Sequence, residues 1–348
     1  MKLEIAVLVP CFNEAATIDK VVRDFYAALP ECRVFVGDNG STDDSATLAA
    51  QAGAVVLHEP LPGKGNVVRR MFADVEADVY VLVDGDDTYD ASYAPQLIEV
   101  LLNQSLDLVS AARNEVSAGA YRRGHRFGNR LLTTLVASLF GNRFSDMLSG
   151  YRVISRRLVK SFPLLSAGFE IETELTVHAL QLRVPIAEIV TPYRDRPQGS
   201  VSKLHTYRDG FRIVATIARL VKAERPMYFF GVLAALLACA SLLAGIPVIQ
   251  EFLRTGLVPR QPTVVLAASL MMLAFLSLTC GLILETVTRG RIEQKRMRYL
   301  AIPLARPPWD TRSGDAIQED GYLRPVAPRE AGTPSAGRRP ATHVVANR

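Results

Sequence analysis

Short apolar runs and longer mixed stretches alternate through residues 5–111. Ile5–Val9 is rich in β-branched side chains and stops at Pro10, which predicts a buried strand. Ala16–Leu29 carries apolar residues at helical spacing and is closed by Pro30. Arg33–Gly37 predicts a second strand, followed by the polar turn Asp38-Asn39-Gly40-Ser41. Thr42 or Asp43 is placed to cap a helix through Ala52. Ala54–Leu57 predicts a third strand, and Gly63-Lys64-Gly65 opens a helix to about Val75. Val79–Val83 predicts a fourth strand that ends abruptly in Asp84-Gly85-Asp86-Asp87. A helix over Ala94–Leu102 and a strand over Leu106–Ala111 follow. This order predicts a parallel α/β sheet with helices on both faces. Ligands of such sheets bind beyond the carboxyl ends of the strands, where all these polar clusters fall.

The pattern then changes. Arg122, Arg123, His125, Arg126 and Arg130 occur without an intervening acid, and apolar residues at helical spacing follow over Leu131–Phe140. A basic amphipathic helix of this kind predicts a membrane-surface element. His205–Arg225 repeats the pattern, with Arg208, Arg212, Arg219, Lys222 and Arg225 around Phe211, Ile213, Val214, Ile217 and Leu220. Met227–Ile249 and Thr263–Leu284 carry no charge, and each is long enough to cross a hydrocarbon core about 30 Å thick. Basic residues before Met227 and at Arg289, Arg291, Lys295, Arg296 and Arg298 place both flanks in the cytoplasm by the positive-inside rule. Ala and Gly within the two segments would let them pair with further copies of the chain.

The net charge is +5, which suits an anionic partner. The basic clusters flank apolar segments and do not interleave with aromatics, which argues against nucleic acid. Cys11, Cys32, Cys239 and Cys280 lack zinc-ligand or thioredoxin spacing and read as free thiols in a reducing compartment. The N-terminal apolar run is short, contains Glu4 and ends at Pro10, so it does not read as a signal peptide. The stretch from Pro303 is rich in Pro, Gly and Arg and reads as disordered.

Asp84 and Asp86, one residue apart at a strand end, can converge on one hard cation, Mg2+ or Mn2+. Such a cation would bridge diphosphate oxygens. Asn13 and Glu14 offer hydrogen-bonding groups to a ribose or base, and so does the Asp38–Asp43 turn; each is also a plausible turn or helix cap. Gly63-Lys64-Gly65 at a helix start could meet phosphate with backbone N–H groups and one ammonium. It is not a Walker A loop, and no G-x-G-x-x-G follows a strand.

Taken together, Pro10-Cys11-Phe12-Asn13-Glu14, Asp38-Asn39-Gly40-Ser41-Thr42-Asp43, Gly63-Lys64-Gly65-Asn66 and Asp84-Gly85-Asp86 resemble family 2 glycosyltransferases of the GT-A fold. Asp146–Arg152, Gly168–Glu172 and Arg196–Leu204 resemble the branch that transfers sugars to dolichyl or undecaprenyl phosphate. The resemblance implies an α/β nucleotide-sugar-binding domain with a mostly parallel sheet, followed by two transmembrane helices. The expected divisions are a GT-A domain at 1–204, an interfacial helix at 205–226, membrane helices at 227–249 and 263–286, a basic cytoplasmic flank at 287–302 and a tail at 303–348.

The resemblance also implies roles. Pro10, Phe12, Glu14, Asp38 and Asn39 would hold the nucleoside. Relatives often carry Asp where Asn39 stands, and the amide still leaves an acceptor. Asp84 and Asp86 would hold the metal, with Gly85 letting the backbone approach the donor. Arg113 would bridge donor and acceptor phosphates, Ser149 and Arg152 would border the acceptor phosphate, and Arg196 and Lys203 would close over the donor diphosphate. Glu170 and Glu172 read as structural or orienting, because an acceptor phosphate is already anionic near neutral pH, its second pKa being about 6. The implied reaction is an in-line displacement, with inversion, that moves a sugar from a UDP- or GDP-sugar to a polyprenyl phosphate. Two alternatives are a processive polysaccharide synthase and a non-catalytic sugar-nucleotide-binding scaffold. The synthase reading lacks Q-x-x-R-W, the sole Trp being Trp309; the scaffold reading leaves the Asp84/Asp86 pair without a purpose.

Overall fold

The structure, a computed structural model, describes residues 3–113, 146–168, 170–194, 222 and 225–305. They fall into two compact units, one within 1–202 and 298–348, the other within 203–297.

The first unit is built on a seven-stranded sheet. Its strands are β1 (Ile5–Cys11), β2 (Arg33–Asp38), β3 (Val55–His58), β4 (Val79–Leu82), β5 (Leu108–Arg113), β6 (Arg152–Ser155) and β7 (Ile186–Thr191). Their order across the sheet is β3-β2-β1-β4-β6-β5-β7. The helices are α1 (Ile18–Ala28), α2 (Ser45–Gln51), α3 (Lys64–Asp74), α4 (Ala94–Asn103), α5 (Arg156–Ser161) and α6 (Ile171–Leu182). The first five strands match the apolar runs. β1 and β4 are buried along most of their length, as strands covered on both faces must be.

Two strands were not anticipated. β6 runs antiparallel to both neighbours, with Val153 facing Val81 on β4 and Val109 on β5. β7 pairs parallel with β5. The sheet is therefore mixed, and β6 returns the chain to the side of the β4 strand end. Val7, Val9, Val34, Val36, Val79, Val81, Val109 and Val153 form its core with Phe25, Leu97 and Tyr151. Burial pushes the thiol of Cys11 up to about 12 and that of Cys32 up to about 11, so both stay protonated near neutral pH.

The second unit contains most of two long helices, α7 (Pro226–Thr255) and α8 (Gln261–Leu300). Both extend beyond the apolar segments read from sequence. At 1.5 Å per residue they measure about 45 and 60 Å, longer than a hydrocarbon core. They are long and apolar enough to cross a membrane, and only 17% and 22% of their apolar windows are buried. A core helix of a soluble protein would be mostly buried. Small residues mediate their contact: Ser241 Oγ donates to Ala267 O at 2.7 Å and Ser277 Oγ to Phe230 O at 3.0 Å.

The last turn of α8 belongs to the first unit. Tyr299 Oη donates to Asp107 Oδ2 at 2.7 Å, and the Arg157 guanidinium lies over the Tyr299 ring. Asp107 is fully buried and also accepts from Ser155 Oγ at 2.6 Å and from Arg157 Nε and Nη2 at 2.5 and 2.7 Å. Removing such a carboxylate strands its donors. Asp107→Ala is expected to destabilise the first unit by about 3–5 kcal/mol, and Tyr299→Phe by about 1 kcal/mol. Thermal unfolding of the full chain in detergent checks both; equal midpoints for the two variants would contradict the clasp.

Candidate active site

β1, β2 and β4 all end on one edge of the sheet, and their following loops build the site. Beyond β1, Phe12 is 41% exposed, unusual for a ring directly after a buried strand. Asn13 takes a left-handed backbone conformation (φ 53°), which asparagine tolerates. Its Oδ1 accepts from Thr42 N at 2.8 Å, and its N–H donates to Ser41 Oγ at 3.0 Å. Glu14 N–H donates to Ser45 Oγ at 2.8 Å. These bonds strap the β1 loop to the β2 loop.

Asp38, the last residue of β2, is buried. Its Oδ1 accepts from Ser41 N at 3.2 Å, and its Oδ2 lies 3.2 Å from His58 Nδ1. Asn39 differs from the expectation of a base-binding acceptor. Its Nδ2 donates to Glu59 O (3.0 Å) and Leu61 O (2.8 Å), and its Oδ1 accepts from Gly63 N at 2.6 Å. The amide clamps the 59–63 loop, a task that requires both donors and an acceptor.

At the end of β4, Thr17 Oγ1 donates to Gly85 O at 2.7 Å and fixes the Asp-Gly-Asp turn against the start of α1. A Cβ at Gly85 would lie 3.3 Å from Val9 and 3.5 Å from Ile18. The turn thus lies close against side chains of β1 and α1. Asp86 is buried and accepts from Thr88 Oγ1 at 2.6 Å. Asp84 remains 30% exposed. A Cβ at Gly150 would sit 2.2 Å from Asp84 Oδ2, so the carboxylate occupies space that any other residue at 150 would fill. The pair fits a hard divalent cation: two oxygen donors at one strand end, one of them reachable, as suits a metal completed by phosphates and water. No group of three or more metal-ligating residues occurs among the described residues.

Lys64 departs furthest from expectation. The start of α3 does not present free N–H groups. Gly65 N–H donates to Ala167 O at 3.0 Å, and the segment at 166–167 packs so closely that a Cβ on Gly63 or Gly65 would overlap its carbonyls. Gly63 also has φ 125°, open only to glycine. The Lys64 ammonium donates to Asp84 Oδ1 at 2.5 Å and to Glu172 Oε1. Burial pushes Lys64 toward neutrality, but the two carboxylates outweigh it and hold its pKa above the usual lysine range. Glu172 and Glu174 lie in the first turn of α6, where acids suit the helix dipole. Glu174 accepts from Leu165 N at 2.9 Å and Ser166 N at 2.8 Å and so fixes the covering loop. Sequence reasoning passed over Glu174; its one local signal was the acid-rich helix start. Glu170 is exposed.

Arg113, at the end of β5, forms a bidentate pair with Asp146 at 2.6 and 2.8 Å and lies over the Tyr193 ring. Burial raises the pKa of Asp146, the Arg113 bonds and charge lower it, and the net shift is downward. Ser149 and Arg152 do not border an open site. Both are fully buried. Ser149 Oγ donates to Ala111 O at 2.6 Å. Arg152 donates to Ser149 O (2.9 Å), Met147 O (2.6 Å) and Thr176 Oγ1 (2.8 Å). Arg152 starts β6 inside the sheet, so its guanidinium braces the 147–149 turn. Arg122, Arg123, Arg126, Arg130, Arg196 and Lys203 lie outside the described residues, as do most of 205–226 and all of 306–348.

The mixed sheet and its acidic strand end define a glycosyltransferase of the GT-A fold. The chain belongs to glycosyl transferase family 2, whose model matches residues 6–162. Glycosyltransferase AglJ of Haloferax volcanii is 35% identical over 65% of this chain and 75% of its own length. A dolichyl-phosphate hexose transferase of the same organism is 28% identical over 64% of this chain and 96% of its own. Among solved structures, Mycobacterium tuberculosis glucosyl-3-phosphoglycerate synthase in complex with Mn2+ and UDP-glucose superposes with a TM-score of 0.51. It shares 26% identity over 63% of this chain and 78% of that one.

Two predictions follow from this geometry. Gly150→Ala drives a Cβ into the Asp84 carboxylate and strains its pairing with Lys64, so the thermal midpoint should fall, by about 2–4 °C per kcal/mol lost. Sugar transfer should fall by roughly 10²-fold; undiminished transfer would contradict the placement of Asp84. Asn39→Asp sets a carboxylate against two carbonyls and should cost about 1–3 kcal/mol. An unchanged midpoint in the same thermal measurement would remove the clamp.

Proposed function

We propose that this glycosyltransferase moves a sugar from a nucleoside-diphosphate sugar to the phosphate of a membrane polyprenol at the cytoplasmic face, with inversion at the anomeric carbon. The observation that carries this reading is the presence, in one chain, of the Asp84/Asp86 strand end and two helices long and apolar enough to cross a membrane. Similarity to a UDP-glucose-binding synthase supports the donor, and similarity to a dolichyl-phosphate hexose transferase supports the acceptor.

The exposed Phe12 ring stacks on the base, and Pro10, Glu14 and Asp38 enclose the nucleoside. Asn13 and Asn39 set the loops around it. Asp84 and Asp86 would hold Mg2+ or Mn2+, which when bound would take up the charge of the departing diphosphate. Arg113, oriented by Asp146, steers the acceptor phosphate toward the sugar. An oxygen of that phosphate attacks the anomeric carbon, and the bond from that carbon to the diphosphate oxygen breaks. The acceptor is anionic at neutral pH, so no strong general base is required. Arg196 and Lys203 close over the leaving diphosphate, and Arg122, Arg123, Arg126 and Arg130 meet the lipid phosphate at the membrane surface. Ser149 and Arg152 support the turn that carries Gly150. Confinement to the membrane raises the effective concentration of the acceptor.

Membranes containing the protein test this reading. They are supplied with radiolabelled UDP- and GDP-sugars, undecaprenyl phosphate and Mg2+ or Mn2+. Label is expected in the organic phase for one donor, with a loss of roughly 10²-fold or more in Asp86→Asn. Absence of lipid-linked product across the panel, with the protein folded in the membrane, would contradict it.

A further inference from the structure

The Asp84 carboxylate is already engaged by a cation of the protein itself. Its Oδ1 accepts from Lys64 Nζ, and the same ammonium also donates to Glu172 Oε1. Lys64 is only 11% exposed and Glu172 only 7%, so water screens this trio weakly. The Lys64 backbone is also fixed. The backbone on both sides of it is packed against residues 166–167, and that segment is fixed by Glu174. A divalent cation approaching Asp84 therefore meets a like charge on the carboxylate it needs. Glu172 is the counterweight: it draws the same ammonium toward α6, which weakens the hold on Asp84. Arg152 and Asp146 lie further along this line of alternating charge and act electrostatically on one another.

We infer that Lys64 and Glu172 act as positioning residues that set the divalent-cation affinity of the Asp84/Asp86 pair, Lys64 competing with the cation and Glu172 relieving the competition. The diphosphate of the donor brings negative charge that offsets Lys64. Cation and nucleotide consequently bind as a pair, and the cation alone binds weakly. This inference rests on the donor site proposed above.

The two residues act in opposite directions, which a merely structural role cannot imitate. The full chain in detergent is titrated with Mn2+, and free Mn2+ is read by electron paramagnetic resonance, without nucleotide and with UDP or GDP. Without nucleotide, Lys64→Gln is expected to tighten Mn2+ binding by roughly 10-fold and Glu172→Gln to weaken it by roughly 10-fold. The double variant Lys64→Gln/Glu172→Gln is expected to stay tighter than wild type, which separates lost competition from a newly made three-carboxylate site. Weakened or unchanged binding in Lys64→Gln, or a double variant no tighter than wild type, overturns the inference. If Asp86→Asn still abolishes Mn2+ binding in that case, the donor site itself stands. Failure of wild type to bind Mn2+ with either nucleotide removes the donor site and this inference together.

Discussion

Lys64 joins two parts of the catalytic unit that are remote in sequence. Its ammonium reaches Asp84 at the end of β4 and Glu172 on α6. Charges buried this deeply are tolerated only when paired. The pairing explains several neighbours at once. Gly63 and Gly65 allow the 166–167 backbone to close over Lys64, Glu174 holds that backbone in place, and Gly150 leaves room for the Asp84 carboxylate. Arg152 extends the pattern, a buried cation within the influence of both Glu172 and Asp146. Asp146 in turn holds Arg113. The strand end and the arginine at the end of β5 thus lie along one line of alternating charge.

Much of the fold was legible in the sequence because buried parallel strands read as apolar runs closed by turn residues, as Ile5–Val9 and Val79–Val83 do. β6 was not legible. It has four residues, begins with Arg152, and owes its place to non-local pairing with β4 and β5. An arginine there reads as surface charge until the carbonyls of Met147 and Ser149 are seen to receive it. α8 outran the apolar segment because Arg, Glu, Gln, Lys and Met after Glu285 are all good helix formers.

The candidate site divides the same way. Asp84, Asp86, Asp38 and Phe12 lie at or just beyond strand ends, and local pattern is enough to find them. The surroundings of Lys64 and Asn39 depend on segments far away or on which amide atoms meet which carbonyls, and no local spacing carries that information. A glycine-flanked lysine at a helix start suggests phosphate on general grounds. Here the flanking glycines serve the packing of a loop about a hundred residues later in the chain.

The central claim is that the Asp84/Asp86 strand end takes the donor diphosphate together with a divalent cation. Calorimetric titration of UDP and GDP into the full chain, in Mg2+ and again in EDTA, tests it most directly. One nucleotide is predicted to bind at least roughly 10-fold more tightly in Mg2+, with Asp86→Asn removing that difference and leaving the weaker binding seen in EDTA. Equal affinity in Mg2+ and EDTA, or a metal dependence that survives Asp86→Asn, would contradict the account.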